Sequence, residues 1–310
     1  MFIFRESEGF LLDTLTQNST DSKITHVSDT ALWVAVYRAA ESRRSDALFK
    51  DQLADRLVGS KGREIEQQMS SRSSVVAKYL SWSVVIRTCM IDQLIEEQIK
   101  NGIDTVINLG AGLDTRPYRM KLPPNLQWIE IDFPHMIQYK EEQLKNEKPN
   151  CKLERVALDL SNSEAKKLAF EQIAAKTSKA IVITEGVVPY LDEAQVQDLI
   201  EDLNRHKQFK YWIVEYSSPT LMRIMKKRGT LTDLMKNSPL KFFPKNLFDF
   251  FGKRGWKVSD IRYFAKESKK LGREVAMPWW ATIISFILTP LPTLKEKFLN
   301  ISGFMLLERV

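Results

Sequence analysis

Cysteine is almost missing from this chain: Cys89 and Cys151 are the two in 310 residues. Neither stands at a metal-ligand spacing, so a disulfide scaffold and a zinc site are both unexpected, and the setting reads as reducing and cytoplasmic. Histidine is nearly as scarce. His26, His135 and His206 share no spacing of interest, and none is assigned catalysis. The start, Met1-Phe2-Ile3-Phe4-Arg5-Glu6, lacks a basic stretch leading into a long apolar run, so no signal peptide is expected. Charge of one sign is not concentrated. Lys and Arg number 46 against 39 Asp and Glu, a net +7 with acids interleaved, which does not imply a nucleic-acid partner. A basic pocket for an acidic substrate fits the same balance. Internal repeats and low-complexity segments are absent. The longest uncharged run, Val275 to Leu294, is interrupted by Pro278, Pro290 and Pro292. A membrane span needs about 20 predominantly apolar residues. The prolines and the Trp279-Trp280 pair favour a buried or substrate-facing helix, with interfacial membrane contact the minority reading.

What is present is ordinary globular composition, 44% hydrophobic and 27% charged, in a chain long enough for a substantial core. Residues 1–100 read as a helical cap: apolar residues recur at helical steps along Val84, Ile91, Leu94, Ile95 and Ile99. From about 101 the pattern becomes strand–helix alternation. Strands are expected at 104–109, 127–132, 153–158, 180–185 and 211–216, with helices over 136–146, 163–176 and 193–205. That order predicts an α/β fold, a doubly wound, mostly parallel sheet with all five strand ends on one ligand-binding edge. Two further strands, around 256–264 and 303–308, one of them antiparallel, complete a seven-stranded sheet. Residues 218–250 read as a helical insertion over the sheet edge.

The strand ends carry the chemistry. The first turns at Gly110-Ala111-Gly112, where glycine permits a sharp bend and close approach to a ligand. About twenty residues on, the second ends in Asp132, the distance at which an acid accepts from ribose hydroxyls. Glu130 is the second choice for that role. The dinucleotide fingerprint is incomplete, since Thr115 stands where its third glycine belongs. The third strand leads to Asp159-Leu160 and the fourth to Glu185. Carboxylates without cysteine or histidine partners do not make a zinc site. They could hold magnesium, and they equally suit S-adenosyl-L-methionine, with its amine, ribose diol, ammonium and sulfonium. The carboxylate of that molecule needs a base, for which Arg87 is a candidate. No resident metal is expected.

Asn108-Leu109-Gly110-Ala111-Gly112-Leu113-Asp114-Thr115-Arg116, Glu130-Ile131-Asp132-Phe133-Pro134 and Thr184-Glu185-Gly186-Val187-Val188-Pro189-Tyr190-Leu191 together resemble the leucine carboxyl methyltransferase superfamily. The likeness is closest to its bacterial branch, which includes the tetracenomycin polyketide carboxyl methyltransferase. It covers about residue 25 to the C-terminus. The resemblance implies a class I methyltransferase fold with a helical N-terminal cap. It also implies S-adenosyl-L-methionine bound with Arg87 on its carboxylate and Gly110 and Gly112 against the methionine part. Asp132 would then hold the ribose, Asp159 and Leu160 would frame the adenine, and Glu185 would lie near the ammonium. It raises Arg38 and Arg43 as pocket residues, beside Tyr190, for the acceptor. The distinct N-terminal motif of eukaryotic members that methylate a phosphatase C-terminus is not found, which turns the expectation from a protein to a small carboxylic acid.

Several of these residues have a plain structural reading. Asp114 and Arg116 read equally as a helix-start acid and a solvated base. Arg38, Glu41, Arg43 and Arg44 could form an exposed charged helix face. Tyr190 reads equally as a residue that closes the site and as one that merely packs, and Trp279 and Trp280 are more often core. A carboxylic acid is ionised at neutral pH, so its methylation needs orientation and desolvation rather than a base. The expected function is therefore O-methyl transfer to a small-molecule acid. A non-catalytic protein binding S-adenosyl-L-methionine and a nicotinamide-dependent oxidoreductase are the alternatives.

Overall fold

The computed structural model describes residues 27–70, 75–228, 239–274, 296 and 299–310. Trp279 and Trp280, His26, the 275–294 run and residues 229–238 of the expected insertion lie outside the described residues.

Seven strands form one sheet in the order β3-β2-β1-β4-β5-β7-β6. They are β1 (Thr105–Leu109), β2 (Gln127–Asp132), β3 (Lys152–Ala157), β4 (Ala180–Ile183), β5 (Phe209–Ser217), β6 (Trp256–Tyr263) and β7 (Ser302–Arg309). The first five are parallel, and β7 runs antiparallel between β5 and β6. This is the seven-stranded, mostly parallel sheet that the sequence predicts. The strand order reverses between β1 and β4, which opens a crevice at their carboxyl ends.

Composition explains the order. β1 and β4 are buried at every position, as central strands covered on both faces must be. In β7, Gly303 to Leu307 are buried, so the last strand sits inside the sheet. β6 carries Lys257, Asp260 and Arg262 and takes the edge, where charge discourages further pairing. Element ends shift by a residue or two from expectation. β4 stops at Ile183 and not at Glu185, because Gly186 has φ of 71° and turns the chain out of the sheet.

Ten α-helices are described. Before β1 come α1 (Val27–Ser42), α2 (Gln52–Ser70) and α3 (Val75–Lys100). The others are α4 (Arg116–Arg119), α5 (Pro134–Leu144), α6 (Ser163–Ala175), α7 (Glu193–Asn204), α8 (Pro219–Arg228), α9 (Leu247–Gly252) and α10 (Phe264–Lys270). The sheet has a hydrophobic layer on each face. α6, α7 and α9 contribute Phe170, Leu199 and Phe251 to one layer. α3 contributes Ile86, Met90, Leu94 and Ile95 to the other, against Val106, Trp128 and Ile181. A third cluster joins Ala35 of α1 and Leu57 of α2 to Leu113 and Met136. The first two helices therefore press directly on the loop that follows β1.

Candidate functional site

The loop after β1 is fixed by backbone bonds before any side chain acts. The N–H groups of Gly110 and Ala111 both donate to the Ile131 carbonyl, at 2.8 and 3.2 Å, tying the turn to β2. Gly110 has φ of 67°, and a Cβ there would lie 2.5 Å from Val187 Cγ2, so no other residue fits without displacement. The Gly112 N–H donates to Asp132 Oδ2 at 2.6 Å, and the Phe133 N–H donates to Oδ1 at 2.7 Å. Burial pushes the Asp132 pKa up, and these two amides work against that shift. The glycine turn and the acid are thus one unit, with the carboxylate held in place at the strand end.

Glu185, just beyond β4, lies between two arginines. Arg87 Nε of α3 is 2.8 Å from Glu185 Oε1, in ion-pair contact but not aligned for a hydrogen bond. Arg116 Nη1 donates to Glu185 Oε2 at 2.9 Å. Burial works against the ionised form of Glu185, but Arg116 and Arg87 outweigh it and hold the pKa below the ordinary carboxylate value. Arg116 is 1% exposed and also donates from Nε to Asp92 at 2.7 Å and from Nη1 to Asp114 at 2.7 Å. Arg119 forks onto the same Asp92 at 2.5 and 2.8 Å. Arg38 donates to the Leu113 carbonyl at 2.5 Å and lies 3.4 Å from Asp51. The expectation of a solvated base at Arg116 is corrected: it is the centre of a buried ionic cluster that joins α3, the glycine loop and the end of β4.

The register aligns β4 and β5 through Ile183 and Ile213. Glu215 of β5 therefore stands beside Glu185. Its Oε1 accepts the Gly186 N–H, while Oε2 is shut off from solvent with no hydrogen-bond partner among the described residues. Burial raises its pKa to about 7, against the pull of the Gly186 amide, its own backbone amide and Arg87. Tyr190 lies in the short 3₁₀ turn Val188–Tyr190, with its pKa raised to about 12 by burial despite Arg87. Motif reading missed Glu215. The signal was available, since it is an acid near the carboxyl end of a mostly apolar strand.

The remaining expected residues are dispersed. Asp159 is exposed, and its carboxylate accepts the Ser161 N–H at 2.8 Å. Leu160 is half-buried against the core. Arg38 is buried, while Arg43 is exposed and pairs with Asp55 at 2.6 Å. The charged run after Tyr37 is thus split: Arg38 and Glu41 point inward, Arg43 and Arg44 outward. Glu130 is corrected as a choice for ribose. Residues two apart on a strand share a face, but Lys140 and Arg155 occupy its two oxygens at 2.7 and 2.9 Å, and it is fully buried. Among the described residues no cluster of metal-ligating side chains occurs, and no helix is long and apolar enough to cross a membrane. Both cysteines are free and buried.

The site fits a zwitterionic nucleoside: a carboxylate braced for a diol, and an acid beside a base for an ammonium and a carboxylate. The family model for leucine carboxyl methyltransferase matches residues 31–204. The chain belongs to the leucine carboxyl methyltransferase family. Its relatives are named S-adenosyl-L-methionine-dependent methyltransferases, not nicotinamide-dependent oxidoreductases. A Streptomyces coelicolor protein designated an S-adenosyl-L-methionine-dependent methyltransferase is 35% identical over 181 residues, covering 55% of this chain and 62% of that protein. The chain thus spans under two-thirds of that relative's length. A Mycobacterium tuberculosis protein of the same designation is 27% identical over 285 residues, covering 87% of this chain and 78% of its own. A solved structure of a DUF574 family protein from Streptomyces avermitilis shares the fold, with a TM-score of 0.53 at 12% identity over 90% of this chain and 97% of that one.

Proposed function

We propose that this protein methylates the carboxylate of a small-molecule acid, as the tetracenomycin-like branch of the family would imply. The observation that carries the reading is the pairing of two braced groups at the ends of β2 and β4, on either side of β1. One is Asp132, fixed by the Gly112 amide, and the other is Glu185, set against Arg87. S-adenosyl-L-methionine supplies an electrophilic methyl group on a sulfonium. Asp132 accepts from the ribose hydroxyls. Gly110 and Gly112 let the backbone lie against the methionine part, and Asp159 and Leu160 flank the adenine. Glu185 receives the ammonium and Arg87 the carboxylate. Tyr190 faces the acceptor from the 3₁₀ turn, whereas Arg38 is engaged by the Leu113 carbonyl and Asp51, and Arg43 points outward onto Asp55. The acceptor carboxylate is ionised at neutral pH, so the site need only strip its water and aim one oxygen.

One observation supports a second reading, methylation of a hydroxyl. Glu215 has a pKa of about 7 and an unpartnered oxygen, the properties of a general base poised for neutral pH. Methyl-labelled cofactor incubated with protein and a metabolite extract separates the two. A labelled product that mild alkali cleaves is an ester and supports the carboxylate. An alkali-stable labelled product points to an ether and to Glu215. Binding of the cofactor with no labelled product of either kind would contradict both.

A further inference from the structure

We infer that Arg116 is a positioning residue for the cofactor: it fixes the Glu185 carboxylate through Oε2 so that Oε1 is presented to the methionine ammonium. The inference rests on the assignment of Glu185 made above.

The geometry supports it in three ways. First, the two oxygens of Glu185 are held differently. Oε2 accepts a hydrogen bond from Arg116 Nη1 at 2.9 Å, while among the described residues Oε1 has the misaligned contact with Arg87 Nε and no other. An arriving ammonium can take Oε1, and Arg87 can turn to the cofactor's carboxylate without disturbing Oε2. Second, Arg116 is itself immobilised. Its backbone N–H donates to Asp114 Oδ1 at 2.8 Å, its Nη1 donates to Asp114 Oδ2, and its Nε donates to Asp92. Asp114 is held in turn by Asn108 Nδ2 at 2.8 Å, one residue before β1 ends. The position of Glu185 is therefore referred back to the glycine loop that cradles the same ligand. Third, stability alone is a poor reason for the cluster, because buried ion pairs are often no more stabilising than apolar packing of the same volume. The forked guanidinium reaches three carboxylates from fixed directions, which the single ammonium of lysine cannot do.

The test compares two thioethers by calorimetry: S-adenosylhomocysteine, and 5′-methylthioadenosine, which lacks the amino-acid end. The intact protein should prefer the former. Glu185→Gln should lower that preference about tenfold, the size of a lost charged hydrogen bond. Arg116→Lys should lower it comparably, and the double variant should go no lower, because the two act on one contact. Lys140→Met, which breaks a buried ion pair that does not include Glu185, should lower the melting temperature and leave the preference unchanged. If Arg116→Lys does not fold, Arg116→Gln with Asp114→Asn removes one charge of each sign and carries the same expectation. An unchanged preference, or equal weakening of both ligands, overturns the role of Arg116. An unchanged preference in Glu185→Gln instead overturns the placement of the ammonium.

Discussion

Single residues behave here according to what surrounds them and not according to their type. Asp132 ends β2 and Glu215 lies near the end of β5, and burial raises both pKa values. At Glu215 burial outweighs the Gly186 amide, its own amide and Arg87, and the pKa reaches about 7 against an ordinary 4.5. The sign of the consequence follows from linkage. A carboxyl with a raised folded pKa contributes its full stability below the unfolded value and loses it as pH rises through the folded one. Unfolding by denaturant should therefore show the intact protein losing stability between pH 5 and 8 relative to Glu215→Gln. Parallel pH profiles would contradict the burial of Glu215. Lys140 makes a second case: it is fully buried against Glu130 at 2.7 Å. Lys140→Met should cost about 3 kcal/mol, toward the lower end for a broken buried pair because Arg155 remains on Glu130. A loss below about 1 kcal/mol in chemical denaturation would show that Glu130 finds water instead.

At the scale of elements, what the sequence reveals depends on whether the deciding contact is local. β2 is legible at both ends, because an apolar run and a terminal acid are local signals. The place of β7 between β5 and β6 is a pairing of distant segments, and only its five buried residues in a row hint at it. Arg116 is illegible for a similar reason. An arginine after a turn is ordinarily solvated, and its three acids come from α3, its own loop and the end of β4. The contact between the first and fourth strand-end loops is equally non-local. Gly110→Ala should place its Cβ on Val187 and force a left-handed backbone, costing about 2 kcal/mol or more. Val187→Ala should recover the steric part alone. A double-mutant cycle on stability that shows no coupling would mean that the loops do not touch.

For the whole molecule, the cap and the sheet are joined at the site and not merely beside it. Leu113 belongs to the hydrophobic cluster of α1 and α2, and Arg38 of α1 donates to its carbonyl. Arg87 reaches the end of β4 from α3, a helix whose apolar face covers the sheet. The cleft is therefore completed by segments far apart in sequence, and cofactor binding should draw on all of them. The central claim is that this cleft holds S-adenosyl-L-methionine with Asp132 as the ribose acceptor. Calorimetric titration of the cofactor into the intact protein and into Asp132→Ala tests it most directly. The expected result is a one-to-one isotherm for the intact protein and an affinity at least tenfold weaker for the variant, the scale of a lost charged hydrogen bond. No heat with the intact protein, or equal affinities for the two, would contradict the account.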